Sequence, residues 1–479
     1  MARKRFLTLI GSLILCAVLI NLIGCDLSLS GEAPTETEAS SGSGGAERIT
    51  AAPLLSATEK ESEDASEKGT EETDGNASEK GTEETGEDMS EKGTEEMGGD
   101  KSGNDEDPTE IADGNVKMTD FALDLFKEAS KDGENTLISP LSVLIALSMT
   151  ANGAEGGTRE QMESVLGMST EELNLYIRDH TAGLPQGEKY KLSIANSVWF
   201  KDEEGLSIKE DFLRTNEEYY GADIFKAPFN DETLKDINAW VNDKTDGMIS
   251  DALDEIPAEA IMYLINALAF DAEWADQYSE GDVYDGKFTR EDGADVDVKM
   301  MRGEDGLYIE DERATGFIKF YDGRKYAFVA LLPNEDISVS DYLSMLDGEA
   351  LQAVLNDPLR GAEVHTSMPK FAVEYDVEMS SVLKNMGMVD AFDWSSADFS
   401  RLGQSARGNI FINRVIHKTF IEVGELGTRA GASTVVEMFP ESAPMLVKQV
   451  DLDRPFIYMI IDWENKVPFF IGTMMDPGK

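Results

Sequence analysis

The sequence has little positive charge. Its 479 residues include 42 Lys and Arg against 94 Asp and Glu, which gives a formal net charge of −52. Phosphate binding needs clustered Lys and Arg, so this composition argues against nucleic acid as a partner. The excess of acid extends along the whole chain and is typical of a surface that stays soluble by mutual repulsion.

The residue types and motifs of catalysis are also scarce. Only three histidines occur, His180, His365 and His417. No G-x-S-x-G turn, H-E-x-x-H pair or phosphate-binding glycine loop is present. His417 is the one candidate base, but it lies in VIHKTFIEV, where a buried and hydrogen-bonded histidine is the commoner interpretation. We expect a protein that is not an enzyme and that needs no cofactor and no metal; an unrecognised hydrolase is the alternative.

Cysteine is limited to Cys16 and Cys25, both near the N-terminus. Three basic residues at 3–5 precede an apolar run at 6–23, a pattern expected for an exported chain. The run is also long enough for a transmembrane anchor. It ends in LIGC, which resembles the bacterial lipobox, whose cysteine is lipidated and becomes the first mature residue. That resemblance implies a lipoprotein signal peptide at 1–24, a lipid on Cys25 and no thiol left for a disulfide; a plain signal peptide is the alternative.

A long acidic segment follows. Residues 65–100 repeat a twelve-residue unit three times, as ASEKGTEETDGN, ASEKGTEETGED and MSEKGTEEMGGD. The units have no apolar face that could stack, and the segment is nearly free of aromatic residues. We therefore predict a disordered acidic spacer at 25–114, which holds a folded domain at 115–479 away from a membrane. The protein is expected to be exported, either to the cell surface as a lipoprotein or to the extracellular space.

The folded region mixes two hydrophobic periods. Apolar residues at helical spacing predict helices in MTDFALDLFKEAS, SVLIALSMTANGA, LKDINAWVNDKT and DVEMSSVLKNMG. Alternating or continuous apolar runs predict strands in KLSIANSVWF, IMYLINALAF, KYAFVALLP, NRVIHKTFIEV, FIYMIIDW and KVPFFIGTM. Both types together predict an α+β protein with large sheets.

Residues 424–437, GELGTRAGASTVVE, separate two of these strands. Their composition of small residues suits a flexible linker. Read at the period of a strand, however, the even-numbered residues from Leu426 to Val436 are small or apolar, and all three charges fall on the odd-numbered face. A linker needs no such sorting, so the segment is predicted to be a loop that can also become a strand over a core.

The order of the motifs resembles the serpin family. NTLISPLSVLIALSMTANGAEGGT, LSIANSVWF, INAWVNDKTDGMI, YLINALAFDAEW, SMPKF, RVIHKTFIEVGELGT and DRPFIYMI follow one another as in serpins, over residues 116–477. The resemblance implies a serpin fold of three β-sheets with about nine helices and an exposed reactive-centre loop. It also implies a use for the sorted loop, which serves as bait for a protease and, once cleaved, enters a central sheet as a new strand.

The hinge of that loop carries over residue by residue. This chain departs from the family pattern at Leu426, at Arg429, where an acid is usual, and at Gly431 and Ser433, where alanine is usual. Arg429 lies on the odd face, which we expect to point to solvent, and Gly431 loosens a strand by about 0.5 to 1 kcal/mol relative to alanine. The hinge implied by the resemblance consists of Glu425, Gly427, Thr428, Arg429, Ala430, Gly431, Ala432, Ser433 and Thr434.

The resemblance also assigns residues around the place where the sheet opens. Ser139, Ser142, Asn266 and His417 match the family's polar residues beneath the opening, and Trp274 matches the tryptophan near the top of the sheet. Buried polar groups must be paired, so a network that can exchange partners would allow two arrangements of the sheet. Static hydrogen bonding within the core is the simpler alternative.

The resemblance also implies the position of the cleaved bond. In serpins this bond is found by counting seventeen residues from the hinge glutamate, and the count from Glu425 implies cleavage between Glu441 and Ser442. Cleavage near Met438 or Met445 is the alternative, since the loop is about three residues longer than an antitrypsin-like loop, and either methionine suits an elastase-like or subtilisin-like pocket. The implied partner is a chymotrypsin-like or subtilisin-like serine protease, with papain-like cysteine proteases as further targets. A monomeric inhibitor is expected; a non-inhibitory serpin that acts as a surface binding protein would have the same fold.

Overall fold

A computed structural model describes residues 14–25, 45–50, 108–428 and 446–479, apart from residues 248, 250, 251 and 305. In these ranges the chain forms nine α-helices and twenty strands. The helices are α1 (Pro108–Ala129), α2 (Pro140–Ala151), α3 (Gly156–Leu166), α4 (Thr170–Ala182), α5 (Glu210–Tyr220), α6 (Asp231–Lys244), α7 (Val339–Met345), α8 (Gly348–Asn356) and α9 (Ser380–Met386). The strands are β1 (Ile14–Cys25), β2 (Glu47–Ile49), β3 (Thr136–Ile138), β4 (Tyr190–Lys201), β5 (Leu206–Ile208), β6 (Asp223–Ala227), β7 (Ala260–Glu273), β8 (Val283–Thr289), β9 (Asp295–Gly303), β10 (Leu307–Glu310), β11 (Ala314–Phe320), β12 (Tyr326–Pro333), β13 (Ala362–Pro369), β14 (Phe371–Glu378), β15 (Gly403–Ser405), β16 (Asn409–Val423), β17 (Gly427–Thr428), β18 (Leu446–Asp451), β19 (Phe456–Asp462) and β20 (Val467–Met474).

The strands form three large sheets and one short pair. Sheet A has the order β14-β16-β1-β7-β4-β6-β2, with β17 also paired to β7. Sheet B has the order β10-β11-β12-β19-β20-β3, and sheet C has the order β18-β13-β9-β8. Strands β15 and β5 pair separately. The predicted α+β fold with three sheets and nine helices is confirmed.

One face of sheet A rests on helix α2. The helix begins at Ser139, whose side chain accepts a hydrogen bond from the Ser142 N–H, and Pro140 occupies the first turn, where its missing N–H costs nothing. All twelve residues of α2 are buried, because the helix lies against β7 and β1 on one side and β20 on another. Burial on every side explains why α2 is predominantly apolar around its whole circumference.

The other face of sheet A is covered in part by helix α6. Asn230 caps α6 through a reciprocal pair with Thr233. Ile237 and Val241 of the helix pack in one cluster with residues of β7 that point away from α2. Strand β7 is consequently buried on both faces for most of its length, and its sequence is a continuous apolar run instead of an alternating one.

The segments before α1 include regular structure within the ranges predicted as signal peptide and spacer. Residues 14–25, predicted to be the end of a signal peptide and the lipidated cysteine, form β1 in the middle of sheet A. Two ordered pieces, β2 and the start of α1 at Pro108, lie inside the range predicted as spacer. The three repeats at 65–100 lie outside the described residues, so the boundaries 1–24, 25–114 and 115–479 stay a prediction. Across the part of the chain that the structure covers, no helix is long and apolar enough to cross a membrane.

One predicted helix is shorter than expected. The apolar spacing of residues 376–387 predicts a helix throughout, but residues 376–378 complete β14 and helix α9 begins at Ser380. All eight residues of β14 pair with β16, and this tertiary pairing outweighs the local spacing. The other predicted helices and strands are present.

Candidate functional site

The chain leaves the top of β16 at Val423 and turns back at once toward β7. The backbone oxygens of the turn accept three hydrogen bonds from the top of β7 and the residues after it. The donors and acceptors are Trp274 Nε1 to Gly424 O at 2.9 Å, Trp274 N to Leu426 O at 3.1 Å and Tyr278 N to Glu425 O at 3.0 Å. Gly427 and Thr428 then pair with Glu273 and Ala272 as β17. The first hinge residues thus already lie as a strand beside β7.

Gly427 is required in this turn. Its φ is +117°, a value that residues with a side chain rarely adopt. A Cβ atom at this position would lie 2.5 Å from the Ala272 oxygen and 2.5 Å from the Trp274 nitrogen. The close approach of two backbones therefore depends on glycine, and a substitution would move the hinge away from β7.

An ion pair holds the start of the hinge on its other side. Lys370 Nζ lies 2.7 Å from Glu425 Oε1, and both side chains are about one-third exposed. Burial raises the pKa of Glu425, but the hydrogen bond and charge of Lys370 outweigh it and keep the pKa below the usual value. Lys370 lies in the motif SMPKF, but the sequence alone gives the lysine no role, because a pair separated by 55 residues has no local signal.

Trp274 lies where the resemblance places it, beneath the hinge. Its indole is 1% exposed and stacks on Tyr321 with ring centroids 4.5 Å apart. The ammonium of Lys319 lies 5.4 Å from the Trp274 ring and 4.4 Å from the Tyr278 ring, and it donates a hydrogen bond to the backbone oxygen of Asp276. Sequence reasoning missed Tyr278 and Lys319; neither residue belongs to a motif.

The four polar residues predicted beneath the opening come together as two pairs, which with Asn196 we call the polar rung. His417 Nε2 accepts a hydrogen bond from the Ser139 N–H at 3.1 Å, and Ser142 Oγ donates to Asn266 Oδ1. Asn266 Nδ2 also donates to Asn196 Oδ1 at 2.8 Å. All but Asn196 are fully buried, and desolvation lowers the pKa of His417 to about 3. A neutral acceptor at this pKa is suited to a structural hydrogen bond and not to general-base catalysis near neutral pH.

The two pairs are separated by a strand. Val18 of β1 faces Asn266 of β7 on one side and His417 of β16 on the other. We call the place between β7 and β16 the slot. Strand β1 runs antiparallel to both of its neighbours. This is also the direction in which a chain returning from the top of β16 would enter.

The register of the hinge can be continued along β7. Thr428 faces Ala272, and antiparallel pairing moves one residue forward on one strand for each residue back on the other. Continued pairing therefore brings Thr434 to Asn266, the rung that Val18 holds. By the same count, residues 430–438 would pair with β7 at the positions where residues 14–22 now pair.

The two faces of the slot correct one expectation. Even-numbered residues of the slot face α2 and the main core, as Leu22 does, which agrees with the predicted apolar face of the loop. The odd face was expected to point to solvent. Leu19, however, is fully buried among Trp199, Ile265 and helix α6. At the top of the odd face, Asp271 and Glu422 are only half-buried, so this end of the slot is open to water.

Several predicted residues lie outside the described residues. These are the hinge residues Arg429, Ala430, Gly431, Ala432, Ser433 and Thr434, and the bond between Glu441 and Ser442. Met438 and Met445 belong to the same range. Cys25 is described as the last residue of β1, facing Asn409 of β16, and its lipidation stays a prediction.

Comparison with known proteins decides the family. A sequence model described as "Serpin (serine protease inhibitor)" matches residues 116–477. The chain belongs to the serpin family.

Three serpin relatives illustrate the similarity. The crystal structure of tengpin, a thermophilic serpin in its native state, is 46% identical, with a TM-score of 0.72 over 78% of this chain and 96% of that chain. Serpin B9 of Homo sapiens is 30% identical over 74% of this chain and 97% of its own length. An uncharacterized serpin-like protein of Thermococcus kodakarensis is 29% identical over 75% of this chain and 85% of its own length. The family is described as serine protease inhibitors, and serpin similarity covers the whole of sheets B and C.

Proposed function

We propose that this serpin is a suicide-substrate inhibitor of serine endopeptidases, and of papain-like cysteine proteases as further targets. The protease attacks a bond of the loop at 429–445 and forms an acyl-enzyme. The freed loop then enters the slot as a strand of sheet A and carries the protease with it. Distortion of the bound protease would prevent the hydrolysis that normally releases the product.

One observation carries this proposal. Gly427 and Thr428 already pair with the top of β7, and the next rungs of that pairing lead straight into the slot. The small, sorted residues that follow can continue the strand, because no proline precedes Pro440. A hinge built only for display would not need this register.

The bond we propose for cleavage is Glu441–Ser442, with cleavage near Met438 or Met445 as the alternative. A buried carboxylate needs a partner, so Glu441 would select a protease whose specificity pocket is cationic or polar. Either methionine would select an apolar pocket. The fold of the target would be chymotrypsin-like or subtilisin-like.

We further propose that the protein works outside the cytoplasm as a monomer. Residues 1–24 would direct export, and the lipid on Cys25 would anchor the protein to a membrane at the cell surface. The acidic repeats would then set the distance between the lipid and the serpin domain, because a self-repelling chain extends. Release from membranes on Cys25→Ser, followed by fractionation, tests the anchor.

The decisive experiment uses the chain shortened to residues 26–479, here called the leader-free chain, which keeps the whole family-matched region. It is incubated with a panel of serine and cysteine proteases and run on a denaturing gel. An inhibitor gives a covalent complex that survives detergent, whereas a non-inhibitory serpin is cleaved without one. Mass spectrometry of the released C-terminal fragment identifies the cleaved bond and hence the class of target.

A further inference from the structure

Strand β1 occupies the slot that the proposed mechanism needs. Its twelve residues pair with β16 from Ile14, facing Ile421, to Cys25, facing Asn409. On the other side the same strand pairs with β7 down to Ile23. Sheet A is therefore complete, and β7 and β16 cannot accept a second strand between them.

The overlap with the loop is in register as well as in position. The hinge enters from the top at Thr428, and Ile14 begins two rungs below it, at Phe270 of β7. Residues 14–22 hold the rungs that residues 430–438 would take, and both segments run in the same direction. The two segments compete for the same backbone donors and acceptors, since each rung of a sheet can be filled only once.

Three side chains of β1 are described, those of Leu19, Asn21 and Leu22, and all three are buried. Leu19 and Leu22 lie on opposite faces and are each fully buried, one beneath α6 and one over the main core. Asn21 is 1% exposed, and its side-chain amide makes no hydrogen bond of ordinary geometry to the described residues, although the Tyr263 hydroxyl lies close enough to influence it. A buried amide without well-formed hydrogen bonds weakens the strand. Residues 14–25 are therefore stabilised in the slot by apolar burial, but the buried amide makes them easier to displace.

We propose that residues 14–25 plug the slot in the uncleaved chain, so that the serpin cannot trap a protease until this segment has been removed or withdrawn. The inference rests on the proposed inhibitory function, and it adds a regulatory segment to it. The plugged chain can still be cleaved in its loop, but the freed loop has no place to enter. It would then behave as an ordinary substrate.

The same plug links inhibition to processing. Leu22–Cys25, the four residues of the lipobox-like ending, lie within β1, and Leu22 is fully buried. A processing enzyme must bind such a segment in an exposed form. A chain that folds before export would thus be neither processed nor inhibitory, and removal of the segment would open the slot and free Cys25 together.

Matched variants of the full chain test the plug. Leu19→Arg places an unpaired cation among the apolar residues beneath α6 and should expel β1 from the slot. Leu7→Arg makes the same charge change outside β1 and serves as the control. With a protease that cleaves the loop, Leu19→Arg should gain the covalent complex, whereas the wild-type full chain and Leu7→Arg should give cleaved product alone. Equal complex formation by all three would overturn the proposal.

A second measurement separates the plug from the inhibitory function. Loop cleavage should raise the melting temperature of the leader-free chain and of full-length Leu19→Arg, because both can take up a new strand. It should leave the wild-type full chain unchanged. If the leader-free chain traps no protease, the proposed function fails, but the plug still stands if this difference in melting is seen. If loop cleavage raises the melting temperature of the wild-type full chain as much as that of the leader-free chain, the proposal that residues 14–25 plug the slot is wrong.

Added peptide gives an independent measurement. A synthetic peptide with the sequence of residues 14–25, with both cysteines replaced by serine, should anneal to the leader-free chain and abolish complex formation. A peptide of the same composition in scrambled order is the control. Blocking by both peptides, or by neither, would contradict a register-specific plug.

Discussion

The centres of sheets A and B differ in polarity. In sheet B, every residue of β12, β19 and β20 is buried, and the middle rungs carry residues such as Met459 and Ile460. In sheet A, the middle rung carries Asn266 and His417. Sheet B is held by direct antiparallel pairing of β12, β19 and β20, whereas sheet A has a distant segment between β7 and β16.

The difference lies in where the polar groups find their partners. The described hydrogen bonds of Asn266 and His417 go to Ser142, the Ser139 N–H and Asn196, which belong to α2, its cap and β4. None of these bonds crosses the slot. These bonds are therefore independent of which strand fills the slot, and each keeps a buried group from being left unpaired, which would cost about 1 to 3 kcal/mol. Sheet A is suited to change its strand number, and sheet B is suited to remain intact.

The largest effect is expected from a charge in the slot itself. Thr434→Arg in the leader-free chain puts a cation at the rung of Asn266, on the face covered by α2, where unpaired burial costs several kcal/mol. About 1.4 kcal/mol on the insertion barrier already slows insertion tenfold. The variant should become a substrate, measured on gels as cleaved product without covalent complex.

The control for that variant is Thr434→Val, which keeps the size of the side chain without the charge and should still inhibit. An arginine at Ser433 is not a clean control, because its rung lies at Ala267, which is buried. Inhibition by Thr434→Arg equal to that of Thr434→Val would refute insertion in this register.

The next effect concerns sheet B. Ile460→Ala removes apolar volume from a fully buried rung and should lower the unfolding free energy by about 2 to 5 kcal/mol. Because sheet B gains no strand, the loss should be similar for the loop-intact and loop-cleaved leader-free chain. Denaturant unfolding of both forms measures it. Ile460→Val, expected to cost about 0.5 to 1.5 kcal/mol, is the matched control, and a loss confined to one form would contradict the comparison.

Local features and the family could be predicted from the sequence. The competition between β1 and the loop for the slot could not. Periodicity located most strands, whereas the sorted loop, which lies mostly outside the described residues, stays a prediction. The place of β1 was not predicted, since an apolar run looks the same whether it serves as a leader, a membrane span or a central strand. Two contacts were also not predicted, the packing of α6 over Leu19 and the ion pair of Lys370 with Glu425. Each joins residues that are far apart in the sequence.

The polar rung predicts a dependence on pH. His417 has a pKa of about 3 in the folded chain because it is desolvated, against about 6.5 when unfolded. Between these values the unfolded chain binds the extra proton, so the unfolding free energy falls as pH drops below 6.5, by about 1.4 kcal/mol per pH unit. His417→Gln keeps an acceptor for the Ser139 N–H but cannot titrate. Its melting temperature should fall less than that of the wild type from pH 6.5 to 4.5; parallel curves would show that His417 does not contribute.

The smallest effect concerns the top of the slot, where the hinge departs from the family pattern. The rung above Ile14 is flanked by Asp271 of β7 and Glu422 of β16, and both point to the open, odd-numbered face. Burial raises the pKa of Glu422; the charge of Lys370 lowers it and that of Glu425 raises it, with a net rise, so another carboxylate at this rung would be unfavourable. The register of Thr428 assigns the rung to Arg429, which would enter between the two acids.

A cation at position 429 should therefore assist the first step of insertion. Opposite charges directly across a pair of strands contribute about 0.2 to 1 kcal/mol, and like charges cost a similar amount. Arg429→Glu should thus shift the outcome several-fold from covalent complex toward cleaved product, Arg429→Ala should lie between, and Arg429→Lys should match the wild type. High salt should reduce the differences, since this end of the slot is open to water. Restoring inhibition by adding Glu422→Lys to Arg429→Glu would assign the effect to the rung, whereas equal inhibition by all four chains would show that insertion does not depend on the charge at position 429.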